Sequence, residues 1–270
     1  MWRELDVDEN IEITLEANPD DLDKPFLKEL KNTQVNRLSI GTQSVFEEDW
    51  RLMNRAHSAT QAESSIKRAQ DFGFENLSID LIYGAPTSSL EIWKKNLRKT
   101  IELQVPHISS YALTIEPKTA LHEWIKKQKI QPPEEAQQHE EFYYMVEFLE
   151  KNGFNHYEIS NFGKPDFHSR HNSAYWSYQP YLGIGPSAHS YNGDKIRSWN
   201  KANNSHYIQY IQRGELPKEI ETLSLADQYN EMLMIGLRTS VGVDLNQMKQ
   251  KFDAEIMQKF LETLTPKIQE

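Results

Sequence analysis

Cysteine is absent from all 270 residues, and that absence removes whole classes of chemistry. Without a thiolate the chain can offer no cysteine ligand to zinc or an iron–sulfur cluster, no disulfide and no sulfur nucleophile. Long apolar runs are missing too. No stretch of about 18 apolar residues exists to cross a bilayer, and mean hydropathy is −0.72, so the chain is not expected to span a membrane. Cations are outnumbered, with 30 Lys and Arg against 40 Asp and Glu and a formal charge of −10. Phosphate binding relies on clustered basic side chains, so no nucleic-acid partner is expected. The N-terminal MWRELDVDEN is acidic and lacks the apolar core of a secretory signal, which makes a cytoplasmic location the default.

What is present is a repeated strand-then-helix rhythm. Ile11, Ile13 and Leu15 alternate with Glu12, Thr14 and Glu16; Asn18-Pro19-Asp20 then breaks the strand, and residues 22–31 read as an amphipathic helix. Further strands are expected at 37–43, 77–83 and 108–115. Helices are expected within 46–72, with a break near 56–60, and over 90–103. This order implies parallel βαβ units. One face of the first three strands is aliphatic, while the other carries Thr14, Glu16, Ser39, Gly41, Gln43, Ser78 and Asp80, which suits a partial barrel opening onto a ligand. The fourth strand does not discriminate, since Ser109 and Ser110 are both polar. A helix over 134–152, a strand over 156–162, a short helix over 205–213 and two final helices over 226–239 and 245–259 complete the reading. The expected division is a partial barrel over residues 1–200 and a linker with a small helical domain over 201–270.

Chemistry concentrates at three strand ends and in one aromatic segment. Glu16-Ala17-Asn18-Pro19 sets a carboxylate at a strand end, and Gly41-Thr42-Gln43 offers close backbone approach and a bridging amide. Asp80 lies inside an otherwise apolar strand, where a carboxylate needs a protein donor or a ligand hydroxyl. Residues 156–191 hold four histidines and six tyrosine or tryptophan residues. In HNSAYW a helical turn would make His171 a neighbour of Tyr175 and Asn172 a neighbour of Trp176. That geometry suits an iron ligand beside a macrocycle; read in isolation, a histidine so placed is more often a hydrogen-bonded packing residue. The Tyr181-Leu182-Gly183-Ile184-Gly185 loop lacks a P-loop lysine and does not read as a triphosphate site.

Together the strings EANP, NRLSIGTQS with NRAHS, DLIYGAP, YALTIEPKT, HYEISNF, SRHNSAYW and YLGIGPSAHSY, with the later GLRTSVGVDL, resemble one family. It is the coproporphyrinogen III oxidase-like branch of the radical S-adenosylmethionine superfamily, and within it the HemW-type heme chaperones. The resemblance implies a partial radical S-adenosylmethionine (β/α) barrel with a truncated helical C-terminal domain. It also implies that Glu16, Gln43, Arg55 and Asp80 contact S-adenosylmethionine. Carboxylates can take ribose hydroxyls or the amino group, and arginine can pair with the methionine carboxylate. His171, Asn172, Tyr175 and Trp176 match the family's heme motif, with His171 as the metal-directed residue.

The implied function is to bind heme and pass it to an acceptor protein, with an oxygen-independent coproporphyrinogen oxidase or an inactive remnant as the alternatives. The family's four-iron four-sulfur cluster is held by a CxxxCxxC loop that is not in this sequence. By the resemblance the chain starts at what corresponds to the third barrel strand, as a shortened relative, a fragment or one piece of a split gene would.

Overall fold

The structure, a computed structural model, describes residues 7–46, 49–50 and 59–268. Two compact units divide the chain, residues 1–169 and 170–270. In the first, β1 (Thr14–Ala17), α1 (Lys24–Leu30), β2 (Arg37–Gln43), α2 (Ala59–Asp71), β3 (Leu77–Tyr83), α3 (Leu90–Glu102) and β4 (His107–Ala112) follow in turn. Helices α4 (Ala120–Lys126) and α5 (Glu135–Lys151) and strands β5 (Asn155–Glu158) and β6 (Asn161–Gly163) complete the unit. The strands form one sheet in the order β1-β2-β3-β4-β6-β5. Its first four strands are parallel, as the βα rhythm implies. Among the described residues the sheet is open.

Alternation along each strand sorts the side chains. Leu38, Ile40, Leu77, Ile79, Leu81 and Ile108 are fully buried on one face. There they share a core with Ile66 of α2, Trp93 and Leu97 of α3, and Met145 and Leu149 of α5. The helices start at hydrogen-bonded caps: Asp23 accepts from the Phe26 amide, Ser89 from that of Ile92 and Thr119 from that of His122.

The single strand expected over 156–162 is instead a hairpin. β6 runs antiparallel to both β4 and β5. The reversal is local polar chemistry. The Glu158 carboxylate accepts the Ser160 amide at 3.2 Å and the Asn161 side chain, while the Ser110 amide donates to the Ser160 carbonyl at 2.7 Å.

The second unit holds α6 (Arg170–Trp176), β7 (His189–Tyr191), β8 (Ile196–Asn200), α7 (Asn204–Gln212), β9 (Lys218–Thr222), α8 (Leu225–Gly236), α9 (Leu245–Lys251) and α10 (Ala254–Ile268). β7, β8 and β9 form an antiparallel sheet. It begins before residue 200, and the unit boundary accordingly lies upstream of the division read from the sequence. The one long helix expected over 245–259 is two. Phe252 adopts an extended conformation and buries its ring, and Asp253 caps the next helix by accepting the Ile256 amide at 2.9 Å. Met232, Met248, Phe252, Met257 and Phe260 make this unit's helical core. Among the described residues no helix is long and apolar enough to cross a membrane.

Ile79 is central to the first core and has 0% exposure. Ile79→Ala is expected to cost about 2–5 kcal/mol of unfolding free energy, read as a lower urea midpoint at unchanged slope. A loss well under about 1 kcal/mol would mean that this face of the sheet is not close-packed.

Candidate functional site

The polar face of the first unit's sheet carries a continuous row. Glu16 pairs in register with Ser39, Ser39 with Ser78, Asp80 with Ser109, and Ser109 with Asn161. Partners in register share a face, so these side chains gather on one side of the sheet. The Ser39 hydroxyl lies 3.3 Å from the Asp80 carboxylate. Gln43 closes β2 after an irregularity in its pairing with β3, and is held at φ 63°. A residue with a side chain rarely adopts that conformation, and such strain collects at functional sites. Gly41 leaves room for the Gln43 amide. A Cβ at position 41 would lie 3.2 Å from Gln43 Nε2 and 3.8 Å from Asn18 Oδ1.

Of the residues expected to meet S-adenosylmethionine, Glu16 and Asp80 thus stand on one sheet face, while Gln43, past the irregularity, is the register partner of Leu81 and brings only its side-chain amide beside Gly41. Arg55 lies outside the described residues. Asp80 has its pKa raised from 3.8 to about 6. Burial is the main cause, and the Glu16 carboxylate adds to it, against the lowering effects of Ser109, Ser39 and Arg37. The carboxyl therefore meets hydroxyls, which stabilise its charge less than a directly bound cation would. A ligand bringing hydroxyl or ammonium donors would favour the charged form, which is the chemistry of the donor set in S-adenosylmethionine. Ser109 and Tyr111 were not singled out from the sequence, although period two along β4 puts both with His107 on the polar face. Tyr111 is 45% exposed, and its hydroxyl is pushed up by burial and by the Asp80 carboxylate.

Beneath this row sits a fully buried network. Arg37 Nη2 is 3.3 Å from His107 Nδ1, Ser78 Oγ is 2.6 Å from the same nitrogen, and His107 Nε2 is 2.7 Å from the Tyr157 hydroxyl. A guanidinium only donates, so Nδ1 accepts, the ring is neutral, and its proton sits on Nε2 facing Tyr157. Burial, then Arg37 and His168, hold the His107 pKa down to about 3. These groups bond to one another and read as framework, although the buried Arg37 Nε has no hydrogen-bond partner.

The heme-motif residues lie in the second unit on α6, a helical turn as expected. His171 is exposed, and its ring meets Tyr175 edge-on at 4.8 Å and 85°. Tyr175 meets Tyr181 at 4.6 Å, and Tyr181 meets Tyr191 at 6.1 Å. Asn172 and Trp176 are half-buried. His168 belongs to the first unit, stacked on Tyr157 at 4.2 Å and 3.4 Å from the Asn155 amide. Among the described residues no three His, Asp or Glu side chains gather as a metal site.

A parallel β/α sheet with a polar face, followed by a helical C-terminal part, is the architecture of the radical S-adenosylmethionine class. Residues 1–100 match the Radical SAM superfamily and residues 223–270 the HemN C-terminal domain. The fold is similar to that of coproporphyrinogen III oxidase (HemN) from Escherichia coli, with a TM-score of 0.77 at 24% identity over 95% of this chain and 62% of that one. In sequence the chain is 35% identical to heme chaperone HemW of Lactococcus lactis over 262 residues, 97% of this chain and 69% of the relative. It is also 35% identical to heme chaperone HemW of Bacillus subtilis, over 89% of this chain and 64% of the relative. The chain belongs to the HemW family of the radical S-adenosylmethionine superfamily, and it spans about two thirds of the length of these relatives.

The raised Asp80 pKa fixes the sign of a pH effect. Folding strengthens proton binding at this carboxyl, so its native state is favoured at low pH and loses stability as pH climbs from about 4 to about 6. Asp80→Asn, which removes the buried charge, is expected to raise unfolding free energy at pH 7 by about 1–3 kcal/mol and to change it little at pH 4. Urea titrations at the two pH values check this; equal effects at both would show that the carboxyl is not held above its ordinary range.

Proposed function

We propose that this chain carries the heme-holding function of a HemW-type chaperone: it binds heme through His171 and gives it up to an acceptor protein. The reading is supported by one observation above all. His171 stands exposed at the start of α6 with Tyr175 packed edge-on against it, followed by a run of tyrosine rings. An imidazole so placed can ligate iron while the aromatic side chains offer apolar contact to the macrocycle. Asn172 and Trp176 complete the turn, with Asn172 orienting it and Trp176 adding apolar wall.

Glu16, Gln43 and Asp80 form, in this proposal, part of an S-adenosylmethionine pocket, with Arg55 as the partner of the methionine carboxylate. When bound, that molecule supplies a sulfonium and, in one-electron chemistry, a cleavable carbon–sulfur bond. The residues here contribute position and charge. Asp80 takes up hydroxyl or ammonium donors, Glu16 adds a second carboxylate on the same face, and Gln43 lends an amide. The four-iron four-sulfur cluster of the family does not fit this set of residues, because no cysteine is available to hold it, and no step is assigned to it.

Titration calorimetry with S-adenosylmethionine checks the pocket: the parent is expected to bind weakly, and Asp80→Ala and Glu16→Ala about tenfold more weakly still. Binding as good as the parent's by both variants would remove these residues from the pocket.

Heme titration followed by Soret absorption tests the chaperone reading. One-to-one binding is expected in the parent, with a shifted or lost band in His171→Ala and little change in His168→Ala. If His171→Ala keeps the parent's spectrum and affinity, the inactive remnant becomes the better account.

A further inference from the structure

We infer that the polar face of the first unit selects its ligand by positive charge, with Tyr111 as the aromatic partner of Glu16 and Asp80 in that selection. The inference rests on the S-adenosylmethionine reading above and adds to it one residue and one requirement. The requirement is the charged sulfonium, which makes the neutral thioether lacking the methyl group the poorer ligand.

Tyr111 is placed by the alternation that sorts the rest of the sheet. It lies two residues beyond Ser109 on β4, hence on the same face, and its register partner is Ile82, two residues beyond Asp80. Ile82 and Tyr111 therefore make the next row toward the C-terminal ends of the strands. With 45% of its surface exposed, Tyr111 keeps much of its ring open to solvent beyond the Asp80 carboxyl.

Charge on this face is one-sided. Glu16 and Asp80 belong to it through the register from β1 to β3, and Glu158 joins at β5, where its carboxylate takes the side chain of its register partner Asn161. The Tyr111 hydroxyl feels all three carboxylates. Burial first, then Asp80, Glu158 and Glu16 push its pKa up, against the lowering effect of Ser109. At Asp80 the Glu16 carboxylate outweighs Arg37, whose guanidinium is buried beside His107. The neutral groups agree: Asn161, in register with Ser109, leaves its Oδ1 buried without a hydrogen-bond partner. A positive ligand answers this surplus of negative potential, and a neutral one does not.

The ring adds a second preference. A sulfonium carries no N–H or O–H to donate, so carboxylates attract it by charge alone. An aromatic face attracts it as well, through the negative potential of its π system.

S-Adenosylmethionine and S-adenosylhomocysteine share the adenosine, the ammonium and the carboxylate, and differ in a methyl group and its positive charge. Sinefungin, in which an amine-bearing carbon replaces the sulfonium, restores the charge by other means. Titration calorimetry of the full chain near pH 7 with these three ligands therefore reads the selection directly.

The parent is expected to bind S-adenosylmethionine and sinefungin about tenfold more tightly than S-adenosylhomocysteine. Tyr111→Leu is expected to reduce that ratio to about threefold or less, with S-adenosylhomocysteine affinity and melting temperature unchanged. Tyr111→Phe, which keeps the ring, should keep the ratio, and Asp80→Asn should lower it. Tyr143→Leu, at an exposed ring on α5, should match the parent. Equal affinity of the parent for S-adenosylmethionine and S-adenosylhomocysteine, or a Tyr111→Leu chain with the parent's ratio, overturns the inference. If Glu16→Ala and Asp80→Ala weaken all three ligands equally, the pocket stands and selection by charge fails. If the parent binds none of them, or those variants weaken none, the S-adenosylmethionine reading fails with it.

Discussion

Strand alternation is the constraint on which the first unit depends, because each strand must serve two environments at once. Parallel sheets covered on both faces read as near-continuous aliphatic runs. β2, β3 and β4 do not. Leu38, Ile40, Leu77, Ile79, Leu81 and Ile108 point toward the helices, and Arg37, Ser39, Ser78, Asp80, His107 and Ser109 point the other way. A slip of one residue would drive the polar set into the helix-facing core and the aliphatic set onto the polar face. Register, stability and the candidate site are therefore one property. The same Ile79 and Leu81 contacts that bury the sheet also hold Asp80 where it stands.

Within the polar face the two levels are treated differently. Arg37, Ser78, His107 and Tyr157 bond to one another, and the buried imidazole stays neutral with its pKa near 3. One level up, Asp80 is buried with the Ser109 and Ser39 hydroxyls as its hydrogen-bond partners, and its pKa rises to about 6. The first arrangement commits its imidazole to internal partners. The second keeps an acceptor whose charge is favoured by whatever donors arrive, which is the behaviour expected of a binding carboxylate. The left-handed backbone at Gln43 lies at the same end of the sheet, so strain and perturbed charge coincide there.

How far the sequence could be read follows from which forces act locally. The βα order was legible because apolar periodicity is written along each element, and the turn carrying His171 and Tyr175 was legible because both lie on a single helical turn. Details set by side-chain hydrogen bonds were not. Alternation begins at Ile11, yet the strand starts at Thr14. The Asn36 side chain takes the Ile13 amide and the Ile11 carbonyl, both at 2.8 Å, in place of a ladder. The reversal at Ser160 depends on Glu158 reaching back, and the break at Asp253 on a cap that periodicity outvoted. β7, β8 and β9 are short and gain their faces only by pairing with one another, so the segment holding His189 read as loop. Ser109 was hidden by its neighbour Ser110, since two adjacent serines mask a period of two.

The absence of cysteine separates what these residues can hold from what they can transform. Carboxylates, an amide and hydroxyls can grip ribose hydroxyls and an ammonium group, but none of them can deliver the electron that cleavage of a sulfonium demands. In the proposed reading, the polar face of the first unit serves recognition. The second unit faces no such shortfall. Holding and releasing heme is ligand exchange at iron, and imidazole, tyrosine and tryptophan are adequate to it without a redox partner. In the proposed reading, heme handling is the part of the family's repertoire that these side chains serve.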